Sequence, residues 1–182
     1  MIKSFKQFRA LFEKKSESHS YGCAMVYFNF PEMAEFHSQI DPTDVYIDDS
    51  DSSYGLEDEP HTTLLYGLHS PEIEDSVVID ICKSIPIGPM TLVNASLFEN
   101  EKYDVLKLDV QNSNLYKINE ELCKLPYTTN FPDYHPHSTI GYLKPGTGKK
   151  YVDLFRNKSY EVNPIKIVYS KPDGTRIEEN IT

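Results

Sequence analysis

One short pattern occurs twice in this chain, and no other feature of the sequence constrains the fold as strongly. The residues PHTTL at 60–64 recur as PHSTI at 136–140, and each copy is followed two residues later by a tyrosine. The proline of each copy precedes an apolar, β-branched run, so it stands just outside a predicted strand, where its missing N–H costs the sheet no hydrogen bond. Two copies with matching flanks predict a fold of two similar halves.

The hydrophobic pattern around the two copies predicts the other elements. The expected strands cover residues 23–30, 61–68, 91–99, 103–110, 137–143 and 163–170. The expected helices cover residues 31–40, 71–85, 113–125 and 151–157, and Ser113 is the expected N-cap of the third. Strands and helices in this order are typical of an α+β fold with two similar halves.

Each copy of the pattern carries a His-x-Thr sequence on a strand. Because side chains alternate along a strand, His61 and Thr63 share one face about 7 Å apart, and so do His137 and Thr139. We expect the residue between them and the following tyrosine to face the helices instead. A pseudo-two-fold axis between the halves would bring the two His–Thr pairs to face each other across a cleft.

Two facing histidines suit a reaction in which one proton is removed and another is supplied. An imidazole with an ordinary pKa of about 6.5 exists in both forms near neutrality, so one ring can start as the base and the other as the acid. Threonine hydroxyls can donate hydrogen bonds to oxygens that carry negative charge. This set matches phosphodiester cleavage without a metal ion.

These two motifs, each opening a strand in one half of a duplicated α+β fold, resemble those of the two-histidine (2H) phosphoesterase superfamily over about residues 21–171. That superfamily includes RNA cyclic phosphodiesterases, 2′-5′ RNA ligases and viral 2′,5′-phosphodiesterases. The resemblance implies two antiparallel-sheet lobes with outer helices around a central cleft. It also implies catalysis by His61, Thr63, His137 and Thr139, with neither a metal nor another cofactor.

Within that superfamily the chain is most similar to the nucleases with which T4-like phages destroy the cyclic di- and trinucleotide messengers of the bacterial CBASS defence. The similarity implies attack of a ribose 2′-OH on the adjacent 3′-5′ phosphodiester, and opening of the resulting cyclic phosphate by water to a 3′-phosphate. It also implies that the protein acts in the cytoplasm of an infected bacterium. The sequence leaves open which histidine is the base, which cyclic nucleotide is preferred and the oligomeric state.

Strand alternation also predicts which residues line the cleft. Taking the more apolar face of each strand as the core face leaves two kinds of side chain on the other face. Aromatic rings there would stack on bases, and lysines would lie near phosphate. The predicted substrate-binding residues are Tyr21, Tyr27, Phe98, Lys107 and Lys166.

The formal net charge is −10, from 18 basic and 28 acidic residues, but the charge is unevenly distributed. Residues 41–59, the acidic segment, hold eight acids and no base, whereas residues 141–182 carry a net charge of +3. A cleft beside eight acids would repel an extended polyanion, which disfavours long RNA or DNA but not a small cyclic nucleotide. The acidic segment is predicted to be a solvated, partly mobile loop, or alternatively a lid beside the site.

Residues 1–20 form a separate N-terminal extension, with the 2H domain predicted over 21–182. Apolar and basic residues alternate there at helical spacing, which predicts a short amphipathic helix. The segment also resembles phage leader peptides that are cut after a Leu-x-Glu motif, here residues 11–13, and that direct proteins into the virion. No apolar run approaches the roughly 20 residues of a membrane span. Three widely spaced cysteines favour reduced thiols.

Three other interpretations remain at this stage. The chain could be an RNA-processing 2H enzyme acting on 2′,3′-cyclic phosphate ends or 2′,5′-oligoadenylates. It could bind a cyclic nucleotide without cleaving it. It could also be a zinc-bound module in which His135, His137, His61 and a cysteine hold the metal. The other histidines are interpreted as structural or solvated; these are His19, His37 and His69.

Overall fold

The computed structural model of the protein describes residues 21–131 and 133–181, so the predicted N-terminal helix and leader motif lie outside the described residues. The described strands are β1 (Gly22–Phe28), β2 (His61–Leu68), β3 (Met90–Glu99), β4 (Asp104–Gln111), β5 (His137–Leu143), β6 (Ser159–Val162), β7 (Pro164–Ser170) and β8 (Arg176–Asn180). The described α-helices are α1 (Met33–Ser38), α2 (Asp75–Ser84), α3 (Ser113–Leu122) and α4 (Lys149–Leu154).

The strands form two four-stranded antiparallel sheets. The first lobe has the order β2-β1-β7-β8 and the second lobe has the order β5-β4-β3-β6. Each motif strand is therefore an edge strand, and β2 and β5 are neighbours between the lobes. The predicted α+β fold with two similar halves is confirmed.

The sequence prediction missed some local features. Strands β6 and β8 were not expected, because SYEV and RIEEN are too polar to stand out as strands. Helix α3 is capped by Asn112, whose side chain accepts a hydrogen bond from the backbone N–H of Asn114, so the expectation of Ser113 as the N-cap is wrong.

Two separate apolar clusters show which face of the first sheet meets the helices. The main cluster includes alternate residues of β1, such as Ala24 and Val26, together with the buried faces of α2 and α3. A smaller cluster on the opposite face consists of Met25, Tyr27 and Val168, with Cys23 packed against it. The predicted alternation along β1 is confirmed, and the smaller cluster forms the floor of the cleft in the first lobe.

Both motif strands carry a β-bulge directly after the threonine. Leu64 is the extra residue in β2 opposite β1, and Ile140 is the extra residue in β5 opposite β4. A bulge shifts the alternation of side chains by one residue. Tyr66 and Tyr142 are thereby turned onto the face that carries the histidines, so the expectation that they face the helices is wrong.

The carbonyl oxygen at each bulge accepts a hydrogen bond from a helix that follows the other lobe's central strand. The Asn119 side chain on α3, after β4, donates to Leu64 O at 2.7 Å. The His37 ring on α1, after β1, bonds Ile140 O at 2.9 Å through Nε2, which carries the hydrogen because a carbonyl can only accept. These two hydrogen bonds satisfy the carbonyl groups at the bulges. Because each bond joins a helix to the motif strand of the other lobe, the two bonds also link the lobes.

Replacing Asn119 by alanine is expected to lower the free energy of unfolding by about 1–3 kcal/mol, because Leu64 O would lose its side-chain donor. Urea denaturation followed by circular dichroism measures the loss. Glu120 is exposed on the same helix, and Glu120→Ala is expected to change stability by less than about 0.5 kcal/mol. Equal stabilities of the two variants would show that the bond to Leu64 contributes nothing.

The acidic segment lies along the outer edge of β5. The backbone N–H of Tyr46 donates to Tyr142 O at 2.9 Å, and that of Tyr142 donates to Gly55 O at 2.7 Å. Four tyrosine rings pack together at this edge, from residues 46, 54, 103 and 142. The Lys102 ammonium lies 5.0 Å from the centre of the Tyr54 ring and bonds the Asp48 carboxylate at 3.1 Å. The segment thus covers the outer edge of β5, while nearly all of its residues stay at least partly exposed to solvent.

Candidate active site

The two motif histidines are held by the same local bond. The Nδ1–H of His61 donates to Glu59 O at 2.8 Å, and the Nδ1–H of His137 donates to His135 O at 2.8 Å. Because a carbonyl accepts only, each bond places the hydrogen on Nδ1 of the neutral ring. Nε2 of each ring is therefore the atom left for proton transfer.

The prolines before the histidines are fixed in equivalent ways. Phe28 N–H donates to Pro60 O at 3.2 Å, and Val110 N–H donates to Pro136 O at 2.9 Å. Each central strand thus also pairs with the proline that precedes the motif strand. This hydrogen bond fixes the position at which the motif strand, and with it the histidine, begins. The Tyr134 hydroxyl adds a bond to Thr63 O at 2.9 Å, which joins the chain before the second motif to the first motif strand.

The two histidines lie close enough to interact electrostatically. The pKa of His137 is lowered, first by burial and then by the charges of Lys107 and His61, while the His135 carbonyl and Asp109 oppose the shift. Burial disfavours the charged form of an imidazole, and a nearby positive charge does the same. The neutral form of His137 is therefore favoured near neutrality.

A cysteine lies beside the threonine of the first lobe but does not supply a nucleophile. Cys23 bonds the Thr63 side chain, yet burial raises the pKa of its thiol to about 12. Burial also raises the pKa of Cys82, in α2, to about 12. Because the thiolate is the reactive form, both groups are inert at neutral pH.

His61 stacks on Tyr27, with ring centres 5.0 Å apart. The Tyr27 ring is buried, and burial raises the pKa of its hydroxyl. Two cations lie over this ring, and each also meets a carboxylate: Lys166 bonds Glu178 at 2.7 Å, and Arg176 lies 3.3 Å from Glu59. Of the predicted residues, Tyr27 thus borders His61, and Lys166 lies against the Tyr27 ring.

His137 meets the edge of Phe98, with ring centres 5.0 Å apart. Lys107 lies 4.5 Å from the centre of the Phe98 ring, and its ammonium bonds Asp109 and Ser96 at 2.8 Å each. Phe98 is 40% exposed whereas Lys107 is 5% exposed, so the ring is open to solvent and the charge is not. Phe98 and Lys107 thus border His137.

A small pocket of about 160 Å³ lies farther along the same face of β2. Its lining consists of Tyr21, Tyr66 and residues 128–131. Gly67 makes this pocket possible: its φ is +110°, and a Cβ there would stand 1.9 Å from Thr128 O, so only glycine lets residues 127–131 lie on β2. Tyr21, predicted to line the cleft, lies in this pocket beyond Thr63 and not beside His61 or His137.

Several residues around the site were not expected from the sequence. Ser96 and Asp109 both bond the Lys107 ammonium, and no role was predicted for either of them. Tyr66 was assigned to the wrong face because the bulge at Leu64 has no clear sequence signal. A second irregularity lies at Asn94, with φ of 53°, and Val93 rather than Asn94 pairs with Asp109 on the cleft face.

Within residues 21–131 and 133–181, no group of three or more His, Cys, Asp or Glu side chains is arranged to hold a metal ion. None of the helices in that part of the chain is long and apolar enough to cross a membrane. Cys23, Cys82 and Cys123 are free thiols.

The fold is similar to that of known structures at low sequence identity. No protein-family model matches the chain, and no curated protein sequence matches it. The structure of Kluyveromyces marxianus Usb1 with uridine monophosphate has a TM-score of 0.55 at 11% identity, over 90% of this chain and 99% of that one. Weaker similarities are to a phosphoesterase (TM-score 0.47, 15% identity, 89% of this chain and 95% of that one) and to E. coli LigT complexed with 3′-AMP (0.46, 14%, 89% and 96%). The likeness to Usb1 concerns the fold.

Proposed function

We propose that this protein is a metal-independent phosphodiesterase of the 2H type that hydrolyses cyclic di- and trinucleotides. One observation carries the proposal: each lobe presents a histidine with Nδ1 bonded to a backbone carbonyl and a threonine on the same strand face. The Usb1 structure of the same fold holds a nucleotide, uridine monophosphate. In this proposal the protein is a phage counter-defence protein. Its domain of residues 21–182 destroys bacterial immune messengers in the cytoplasm of the infected cell.

The chemistry follows from the groups in the cleft. One histidine removes the proton from a ribose 2′-OH, and the 2′-oxygen attacks the adjacent phosphorus. The other histidine protonates the 5′-oxygen as its bond to phosphorus breaks. The hydroxyls of Thr63 and Thr139 donate hydrogen bonds to the non-bridging oxygens, whose negative charge increases in the transition state. Water then opens the cyclic phosphate to a 3′-phosphate.

The pocket beyond Thr63 fits a role in binding a base. Tyr66 lies three residues past Thr63 on the same face, about 10 Å along the strand. Tyr21 meets the Tyr66 ring edge-on, with ring centres 6.2 Å apart, and Phe131 is 73% exposed beside them. Rings of this kind stack on any base, because every base has a π-face. A small substrate with one phosphate at the histidines could therefore place a neighbouring base here.

Replacing Tyr66 by alanine is expected to raise KM for a cyclic dinucleotide about 5- to 150-fold, which corresponds to loss of roughly 1–3 kcal/mol of stacking. Initial rates over a range of substrate concentrations measure KM and kcat. Tyr116 on α3 is similarly exposed and lies outside the pocket, so Tyr116→Ala is the matched control. Similar KM values for the two variants would contradict a base-binding role for the pocket.

The function is tested by incubating the protein with a panel of substrates in excess EDTA. The panel contains cyclic dinucleotides, cyclic trinucleotides, linear 2′,5′-oligoadenylate and an RNA with a 2′,3′-cyclic phosphate end. Linear products from the cyclic nucleotides support the proposal. Cleavage of the RNA end or the oligoadenylate alone would favour the RNA-processing alternative. Loss of all cleavage in EDTA would reject the metal-free mechanism, and binding without cleavage would favour a sequestering protein.

A further inference from the structure

The two lobes are not electrically equivalent at the residue beside each threonine. In the first lobe, Met25 of β1 pairs with Thr63 of β2. In the second lobe, Lys107 of β4 pairs with Thr139 of β5. The pseudo-symmetric positions on the two central strands therefore hold an uncharged thioether and an ammonium group, and only the second lobe has a cation at this position.

The Lys107 ammonium group is buried beneath the cleft surface. Its side chain is 6% exposed, whereas that of its partner Asp109 is 42% exposed. Water screens an exposed charge far more than a buried one, so Asp109 neutralises Lys107 incompletely. The Lys107 ammonium lies against the Phe98 ring, which in turn meets His137 edge-on. The Lys107 charge is thus fixed close to His137.

The charges that act on His137 come from two strands. Lys107 and Asp109 belong to β4, and His61 belongs to β2. Burial, Lys107 and His61 lower the pKa of His137, and Asp109 raises it. In the first lobe, each of the two cations over the Tyr27 ring, Lys166 and Arg176, is paired with a carboxylate. The surroundings of His137 therefore favour a neutral ring.

We propose, on the premise of the phosphodiesterase function above, that Lys107 fixes the division of labour between the histidines: His137 is the base of the first step and His61 is the acid. Lys107 is a positioning residue in this scheme, because it acts through His137 and not on the substrate. The substrate is thereby oriented, with its 2′-OH toward the second lobe and its 5′-oxygen toward the first lobe.

The protons balance over the two steps. In the first, the 2′-oxygen bonds to phosphorus while its proton moves to Nε2 of His137; the P–O5′ bond breaks, its electron pair stays on O5′, and Nε2–H of His61 supplies the proton. In the second, neutral His61 takes a proton from water, whose oxygen bonds to phosphorus. The P–O2′ bond then breaks, and His137 returns its proton to O2′. Both rings end in their starting forms.

Substitutions of Lys107 and Asp109, which form one ion pair, are expected to shift the pKa of His137 in opposite directions. Lys107→Met copies the residue of the first lobe and removes a positive charge, so the His137 titration moves to higher pH. Asp109→Asn removes the opposing negative charge, so the titration moves to lower pH. Proton NMR of the imidazole C–H resonances in the free protein measures both. Lys83 lies on α2 and pairs with Glu179 of β8. Lys83→Met is the control, and it should leave the His137 titration curve unchanged.

The same variants shift the pH dependence of kcat/KM. The base must be neutral in the free enzyme, so the acidic limb of the profile follows the pKa of His137. This limb is expected to move to higher pH in Lys107→Met and to lower pH in Asp109→Asn. A structural defect would lower the rate without moving the limb in opposite directions. Absent shifts, or shifts of one sign in both variants, would overturn the role of Lys107.

A substrate with sulfur in place of the bridging O5′ identifies the acid. A thiolate leaves without protonation far more readily than an alkoxide, since thiols are much stronger acids than alcohols. His61→Ala is therefore expected to recover most of its lost rate on this substrate, on the order of 10²-fold or more, whereas His137→Ala stays inactive. Recovery by His137→Ala instead would overturn the assignment. If the wild-type protein cleaved no phosphodiester, the proposed function would fail, while the NMR titrations would still decide the effect of Lys107.

Discussion

Replacing either His61 or His137 by alanine is expected to lower kcat for a cyclic dinucleotide by about 10²–10⁴-fold, the usual contribution of a positioned acid or base. Each ring is the group that transfers a proton at one end of the reaction, and neither lobe offers a second imidazole at the same position. Both side chains lie on the cleft face of an edge strand and outside the main apolar core, so the variants should fold. Initial rates, with circular dichroism as a check of folding, measure the effect.

The matched control is His135→Ala. His135 lies two residues before His137, its side chain is exposed, and it contributes its backbone carbonyl to the His137 bond, which alanine retains. This variant is expected to keep wild-type activity. A large loss in His135→Ala would instead favour the zinc-bound interpretation, in which the His135 side chain is a ligand. Near-full activity of His61→Ala or His137→Ala would show that the two-histidine assignment is wrong.

Replacing Thr63 or Thr139 by valine is expected to lower kcat by about 10²–10³-fold, which is the typical loss of a donor to developing negative charge. Valine retains the branched shape of threonine and removes the hydroxyl. If the hydroxyls act mainly in the transition state, kcat falls and KM changes little. Steady-state kinetics of the two single variants on the same cyclic dinucleotide measure both quantities.

The chain offers controls for these variants at the neighbouring positions. Thr62 and Ser138 are fully buried on the opposite strand face, and their hydroxyls have no hydrogen-bond partner in the described residues. Removing a buried hydroxyl without a partner costs little or stabilises the fold. Thr62→Val and Ser138→Ala are therefore expected to keep activity and stability. Equal kinetic losses in Thr62→Val and Thr63→Val would assign the effect to the strand rather than to the hydroxyl at the cleft.

Much of the architecture could be predicted from local sequence patterns. The bounds of β2 and β5 were predicted to the residue, since a proline precedes each strand and an apolar run fills it. Alternation along β1 and β4 was also correct, because both strands are regular where they carry the cleft residues. Alternation failed for Tyr66 and Tyr142, which follow bulges. A bulge depends on how two strands pair, so one strand's sequence does not show it.

The sequence by itself determined the two His–Thr pairs and the duplicated fold. The spacing of two residues places each pair on one strand face, and this is a property of the extended backbone alone. The tertiary structure decided what surrounds the pairs. It turned two tyrosines onto the cleft face, laid the acidic segment along β5 and placed Lys107, but no equivalent cation, beside one threonine. These features depend on pairing between residues distant in the chain, and the electric field at each histidine depends on burial, which only the folded structure sets.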